Sequence, residues 1–511
     1  MTVTADRATS SEVVDVDLVK DANPHHARRW LILAVLGLAQ IMVVLDATVV
    51  NIALPTAQRD LGFSDNARQW IVTAYALAFG SLLLLGGRIA DIFGRKRALL
   101  IGLIGFAAAS ALGGAANSFG MLAAARALQG AFGALLAPAA LSLLSTTFTD
   151  VKERNKAFGI FGAIAGSGAA VGLLLGGVLT SYTSWRWCLF VNLFIAAIAG
   201  TAGRILLVHQ KVGHRVKLDL PGTVTAAASM FGLVYGFANA PTHGWSSPMT
   251  WGFLVAGAVL LGVFAWLETW ISHPLMPLRV VLDRDRGGSY VAMFVTGVGM
   301  FGVFLFLTYY MQDTLNFSPV MTGVAFLPMV GMLATTAAVA TTLVVPRIGA
   351  KWPVAIGMAL AAVGMVLMAQ LSLTSTYAAN VLPSQLVIGL GLGLVFAPAM
   401  NYAVLGVDAD DSGVASALVN TMQQVGGSIG TALLSTLAAT AATTFVKTHV
   451  PTGTTKAALD LFQAQATMHS YTTAFWWSAL IYAIGAVLCG LLLRGGRPAP
   501  IDPNAPRAMA H

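Results

Sequence analysis

Runs of about 20 apolar residues recur along the whole chain, and each is long enough to cross a hydrocarbon layer about 30 Å thick as an α-helix rising about 1.5 Å per residue. Fourteen runs are read, with limits near 30–55, 70–90, 98–117, 121–145, 157–180, 187–207, 220–239, 249–271, 288–312, 320–345, 352–372, 382–405, 413–440 and 471–494. In hydrocarbon a backbone has to satisfy its own N–H and C=O groups, which a helix does internally. The expected fold class is an all-α polytopic membrane protein. Composition closes the alternative: 57% of the 511 residues are hydrophobic and 10% charged, against roughly 25% charged in soluble domains. A water-soluble surface cannot be built from that.

The placement of Lys and Arg predicts orientation. With the N-terminus cytoplasmic, five of the 29 fall outside (Arg59, Arg68, Arg186, Lys447, Lys456), Arg126 lies within a span, and the remaining 23 fall inside. An even number of spans with both termini cytoplasmic fits this split. The net charge of +8 is thus a topology signal, and its dispersal argues against a nucleic-acid surface. Residues 1–27 are polar and acidic and read as a cytoplasmic tail. Cys188 and Cys489 sit in spans without disulfide or metal spacing.

Two motif pairs suggest an internal repeat. Gly133-x-x-x-Ala137-Pro138-Ala139 in the fourth span recurs as Gly393-x-x-x-Ala397-Pro398-Ala399 in the twelfth, and Gly94-Arg95-Lys96 has a worn counterpart in Gly349-Ala350-Lys351. Both map span n onto span n+8. The predicted organisation is a tail (1–27), a six-helix half (28–210), two inserted helices (211–280), a second six-helix half (281–495) and a tail (496–511). The one sizeable loop outside the membrane is read at 441–470, with a short amphipathic helix at Ala457 to Ala466.

Ionisable side chains deep in a span are costly and usually functional. Asp46 lies inside the first span and Arg126 inside the fourth, and residue counting puts both in the outer half of the bilayer, where they can meet. Two readings fit: a device that carries a proton, or a static ion pair fixing two helices. Gln129 and Asn51 need polar partners too, which favours one wet pocket. Tyr309, Tyr310, Gln312 and Asp313 end the ninth span, either lining an outer vestibule or forming an interfacial aromatic belt. Glu268, near the inner end of the eighth, is expected to reach out to the headgroups. Asp408, Asp410 and Asp411 precede the thirteenth, with Ser412 as candidate cap.

The cytoplasmic run Gly87-Arg88-Ile89-Ala90-Asp91-Ile92-Phe93-Gly94-Arg95-Lys96-Arg97 resembles the signature loop of the major facilitator superfamily, roughly G-x-L-A-D-R-x-G-R-K, with Ile92 where the family usually has Arg. Leu45-Asp46-Ala47-Thr48-Val49-Val50-Asn51-Ile52-Ala53-Leu54-Pro55 resembles the first-span element of its fourteen-helix drug:proton antiporters. Arg126-x-x-Gln129-Gly130 is similar to their fourth-helix motif, and Trp185-Arg186-Trp187 with Asn192 to the start of their sixth. The fifth span, with Gly168, Gly172, Gly176 and Gly177, resembles their G-x-x-x-G-P-x-x-G-G motif. Leu173 stands at the Pro position, which predicts a straighter helix.

The resemblance implies two six-helix halves plus two central helices. It makes Asp91, Arg95 and Lys96, with Gly87 and Gly94, the inner gate latch, and Asp46 and Arg126 the proton-coupling pair; by their own polarity and position Asn51, Gln129, Tyr309 and Gln312 are candidate cavity residues. The expected activity is proton-coupled export of small amphiphilic drugs or antibiotics by alternating access. The alternative is a dedicated exporter of one metabolite, such as an antibiotic or siderophore. A membrane enzyme or receptor fits poorly, because the nine His are scattered, and primary transport is disfavoured because no phosphate-binding G-x-x-x-x-G-K-[ST] loop exists. Expected partners are the substrate, protons and the bilayer of the cell membrane. No cofactor, metal or nucleic acid is implied, and a monomer is the expected working unit.

Overall fold

The computed structural model describes residues 26–63, 65–208, 219–271, 274–408, 411–449 and 455–496, and no strand occurs among them. Its long helices are α1 (Arg29–Leu61), α2 (Asp65–Phe93), α3 (Arg95–Gly114), α4 (Phe119–Thr147), α5 (Val151–Tyr182), α6 (Trp187–Leu206), α7 (Leu220–His243), α8 (Pro248–Leu267), α9 (Arg284–Tyr309), α10 (Pro319–Val339), α11 (Lys351–Met368), α12 (Leu382–Ala403), α13 (Ser412–Thr448) and α14 (Lys456–Leu492). Among the described residues, 12 helices are long and apolar enough to cross a membrane. The two outside that set are α5 and α7, of 32 and 24 residues. The expected tails lie outside the described residues save for 26, 27 and 496.

Helix ends follow local chemistry. Ser118, Asp150, Asp219, Ser318 and Thr455 precede α4, α5, α7, α10 and α14, and each side chain accepts a hydrogen bond from a first-turn N–H. Gly94 and Gly349 turn the chain before α3 and α11 at φ of +93° and +76°. Only glycine takes that left-handed geometry without a Cβ clash. The two turns occupy equivalent places in the two halves.

The packing repeats with the same offset of eight helices. In α1–α6 the neighbours are α2 with α4, α3 with α4, α3 with α6, α1 with α5 and α1 with α6; in α9–α14 they are α10 with α12, α11 with α12, α11 with α14, α9 with α13 and α9 with α14. Glycines make these contacts close, as small residues do where no water drives association. A Cβ on Gly130 would stand 2.4 Å from the Tyr75 carbonyl oxygen, and one on Gly389 would stand 2.4 Å from that of Met329. The two halves meet along α5 with α10 and α2 with α13.

The inserted helices form a hairpin in which Ser229 donates to the Gly257 carbonyl (2.9 Å) and Asn239 to Thr250 (3.0 Å). Its first helix, α7, packs on both α2 and α13. Trp70 of α2 lies 5.9 Å from Tyr235, and Trp245 donates to Thr436 of α13 at 2.9 Å.

Three expectations are corrected. The loop expected at 441–470 is mostly helix, because α13 runs to Thr448 and α14 begins at Lys456. At 37 residues each, these helices are about 55 Å long and outrun a hydrocarbon layer of about 30 Å; no Pro or Gly interrupts either extension. Glu268 does not reach outward. It is 5% exposed, because the chain folds back beneath α8 and the Leu275 and Met276 N–H groups donate to its carboxylate at 3.3 and 2.7 Å. Ser412 is not the cap of α13, a role taken by a residue of the other half.

Close backbone contact predicts the cost of filling it. Gly130→Val should destabilise the protein by about 1–3 kcal/mol through overpacking, whereas Gly120→Ala, with nothing within 4 Å of its added Cβ, should be tolerated. Thermal unfolding of the two detergent-purified variants checks this; equal melting temperatures would contradict it.

Candidate functional site

Asp46 is fully buried in α1 and Arg126 is 1% exposed in α4. The Arg126 Nη1 donates to Asp46 Oδ2 at 2.5 Å. Gln129 Nε2 and Asn192 Nδ2 both donate to Asp46 Oδ1, at 2.8 and 2.7 Å, and Ser110 accepts from both amides. Arg126 also donates to Gln129 Oε1 (2.9 Å) and to the Ile71 carbonyl (3.4 Å), and its guanidinium lies 4.4 Å from the centre of the Tyr75 ring. Five helices, α1, α2, α3, α4 and α6, converge on one carboxylate. Withdrawing two charges from water is costly unless they are paired and hydrogen-bonded; the network pairs them and fills both Asp46 oxygens, while the Tyr75 hydroxyl and Asn192 Oδ1 are buried without a partner among the described residues.

The glycines of α5 hold α1 at this depth. A Cβ on Gly168 would stand 2.3 Å from Val44 Cγ1, one on Gly172 1.9 Å from Thr48 Oγ1, and one on Gly176 2.9 Å from Val49 Cγ2. These residues flank Asp46 on α1. Gly177 instead faces Val320 of α10 in the other half. The helix runs unbroken from Val151 to Tyr182, through the Leu173 position.

A second polar cluster joins the halves at the end of the bundle that carries Arg88, Arg95, Lys96 and Arg154, called here the basic end. Asp91 Oδ1 accepts the Gly413 N–H of α13 at 3.0 Å. A carboxylate of one half thus caps a helix of the other, satisfying an orphan donor and facing the positive end of the helix dipole. Gly87 permits the approach, since a Cβ there would stand 2.6 Å from the Gly413 carbonyl oxygen. Arg95 lies 3.6 Å from Asp91, and Arg88 lies 3.9 Å from Asp411, which Arg279 also meets at 2.7 Å. Ser142 and Ser412 share a hydrogen bond of 2.8 Å. Across the α5–α12 seam, Arg154 donates to Asn401 Oδ1 (3.0 Å) and to the Val404 carbonyl (3.3 Å), and Asn401 donates to Asn155 (2.6 Å).

The predicted residues therefore divide. Asp46, Arg126 and Gln129 come together; Asp91, Arg95 and Gly87 form the contact between halves, and Gly94 turns the chain behind them. Lys96 is not in that contact. Its ammonium donates to the carbonyls of Arg204 and Leu207 at the end of α6 in its own half, where a cation suits the negative helix end. Tyr309 and Gln312 stand apart from the buried network: Tyr309 is 44% exposed against Tyr471 of α14, and Gln312 is half-buried in a π-helical turn. The side chain of Asn51 lies outside the described residues. Sequence reasoning missed Ser110 and Tyr75 in the first cluster and Arg154, Asn155 and Asn401 in the second, and it read Asp411 only as a carboxylate preceding α13. It held Asn192 only as part of a motif; its burial among apolar residues was the available signal.

The geometry predicts that Asp91→Ala releases the basic end and Lys96→Ala does not. Spin labels at exposed Phe93 and Asp408 should separate in the first variant and keep their distance in the second; a shared response would contradict the assignment.

A family model described as Major Facilitator Superfamily matches residues 36–431. The puromycin resistance protein of Streptomyces alboniger is 47% identical over 468 residues, covering 91% of this chain and 92% of that protein. The cephamycin export protein of Amycolatopsis lactamdurans is 38% identical, covering 78% and 83%, and the tetracenomycin C resistance and export protein of Streptomyces glaucescens 36%, covering 81% and 76%. Among solved structures, the human organic anion transporter MFSD10 superposes with a TM-score of 0.60 at 14% identity, covering 90% of this chain and 99% of that one, a likeness of fold. With the matched model spanning most of its length, the chain belongs to the major facilitator superfamily and is a multi-pass transporter of the cell membrane.

Proposed function

We propose that the chain exports a small amphiphilic molecule in exchange for protons, by alternating access between two six-helix halves. The observation that carries this reading is Asp46, a carboxylate with no exposure tied to Arg126, Gln129 and Asn192 in one half of the bundle. Protonation removes the charge that Arg126 neutralises, so the guanidinium has to find another partner and the five helices around it repack. Substrate that binds one arrangement better than the other then trades against the proton. Fourteen spans with both termini and the basic end cytoplasmic complete the proposal. In that orientation the contact between halves closes the inner side.

The relatives support export of an antibiotic-like compound. Names tied to single compounds (puromycin, cephamycin, tetracenomycin C) favour a dedicated exporter as the second reading, while a 31% identical multidrug resistance protein of Mycobacterium tuberculosis favours breadth. In proteoliposomes tested across a compound panel, substrate-dependent proton flux is expected from the wild type and its loss from Asp46→Asn. Flux with one compound alone selects the dedicated reading, and undiminished proton-coupled export by Asp46→Asn would overturn the coupling assignment.

A further inference from the structure

Two carboxyl groups outside both clusters meet at the foot of the inserted hairpin. Asp219 precedes α7 and Glu268 follows α8; they are 6% and 5% exposed, and one oxygen of each borders the same point beside Gly222. Asp219 has one oxygen engaged and Glu268 both. Asp219 Oδ1 accepts the Gly222 N–H at 2.8 Å, and Glu268 accepts the N–H groups of Leu275 and Met276. Asp219 Oδ2 is buried with no donor among the described residues. Gly222 leaves the space between the carboxyls clear: a Cβ there would stand 2.0 Å from Asp219 Oδ2 and 2.7 Å from Glu268 Oε1. Two carboxylate oxygens in a dry contact repel, and a hydrogen bond between them needs a proton on one.

We propose that Asp219 and Glu268 form a proton-binding site, a clasp that binds the foot of α7 to the end of α8 and to the turn at Leu275 and Met276. That turn leads into the segment that brings Arg279 to Asp411 in the contact between halves. The clasp therefore ties the protonation of the inserted hairpin to the closure of the basic end, separately from Asp46.

The surroundings agree with this. Burial, opposed by the Met276 N–H and reinforced by the charge of Asp219, raises Glu268 from 4.5 to about 7. Hairpin helix α7 packs against α2 and α13, whose charged groups at this end are Arg88, Asp91 and Asp411; these engage one another or Gly413. Because Glu268 binds its proton more tightly when clasped than when open, the clasp is firmest below pH 4.5 and loosens as pH rises to about 7.

Hydrogen exchange of the full-length purified protein tests the proposal without reference to transport. After correction for intrinsic chemistry, opening at Leu275 and Met276 should rise by up to about tenfold per pH unit between about pH 5 and 7, as one linked proton requires, and level off above. Glu268→Gln, which cannot ionise, should flatten the profile, and Asp219→Asn, which removes a lesser cause than burial, should shrink the rise without abolishing it. A wild-type profile without that rise, or the same rise in both variants, would overturn the proposal. Both outcomes are independent of whether Asp46 couples transport.

Discussion

A carboxylate and a guanidinium removed from water together set the terms for the first half of this transporter. In an apolar bundle neither Asp46 nor Arg126 can be left alone: deleting one partner of a buried pair commonly costs about 3–5 kcal/mol, because the other charge stays uncompensated. The demand recruits Gln129, Asn192 and Ser110 and the face of Tyr75. It also makes α5 carry glycines where α1 must come close. Any event that changes the charge of Asp46 is therefore felt by five helices at once, which is why the proposed coupling is placed there.

The contact between halves obeys a different logic. It is built on helix ends, with the buried Arg88–Asp411 pair beside them. Asp91 serves the open N-terminus of α13, and Arg154 serves a carbonyl at the end of α12. Each depends on a side chain of one half and the backbone of the other, so neither can be made within one half alone. The two seams use opposite charges on opposite helix ends. The repeat thus preserves the helix pairs while the residues that bridge them differ.

Much of the architecture was legible because hydrocarbon imposes a length and an apolarity on every span. Asp46 and Arg126 were legible for the same reason, as charges where charges are costly. What hydropathy marks is the thickness of the membrane, so the extensions of α13 and α14 beyond it read as loop. Partners that are backbone groups leave no trace in side-chain identity. Nothing in Gly413 announces that its N–H meets Asp91, nor in Leu207 that its carbonyl takes Lys96 away from the contact between halves. Glu268 looked like a residue able to reach the headgroups until the turn after α8 brought two N–H groups closer than water. Ser110 and Tyr75 are ordinary span residues until five helices are assembled around one carboxylate.

The central claim is that Asp46 holds the proton that substrate displaces. It is tested most directly by proton release in weakly buffered detergent solution as an exported compound is added to the purified transporter. The account predicts release from the wild type and none from Asp46→Asn that still binds the compound. Equal release from both would place the exchanged proton elsewhere and contradict it.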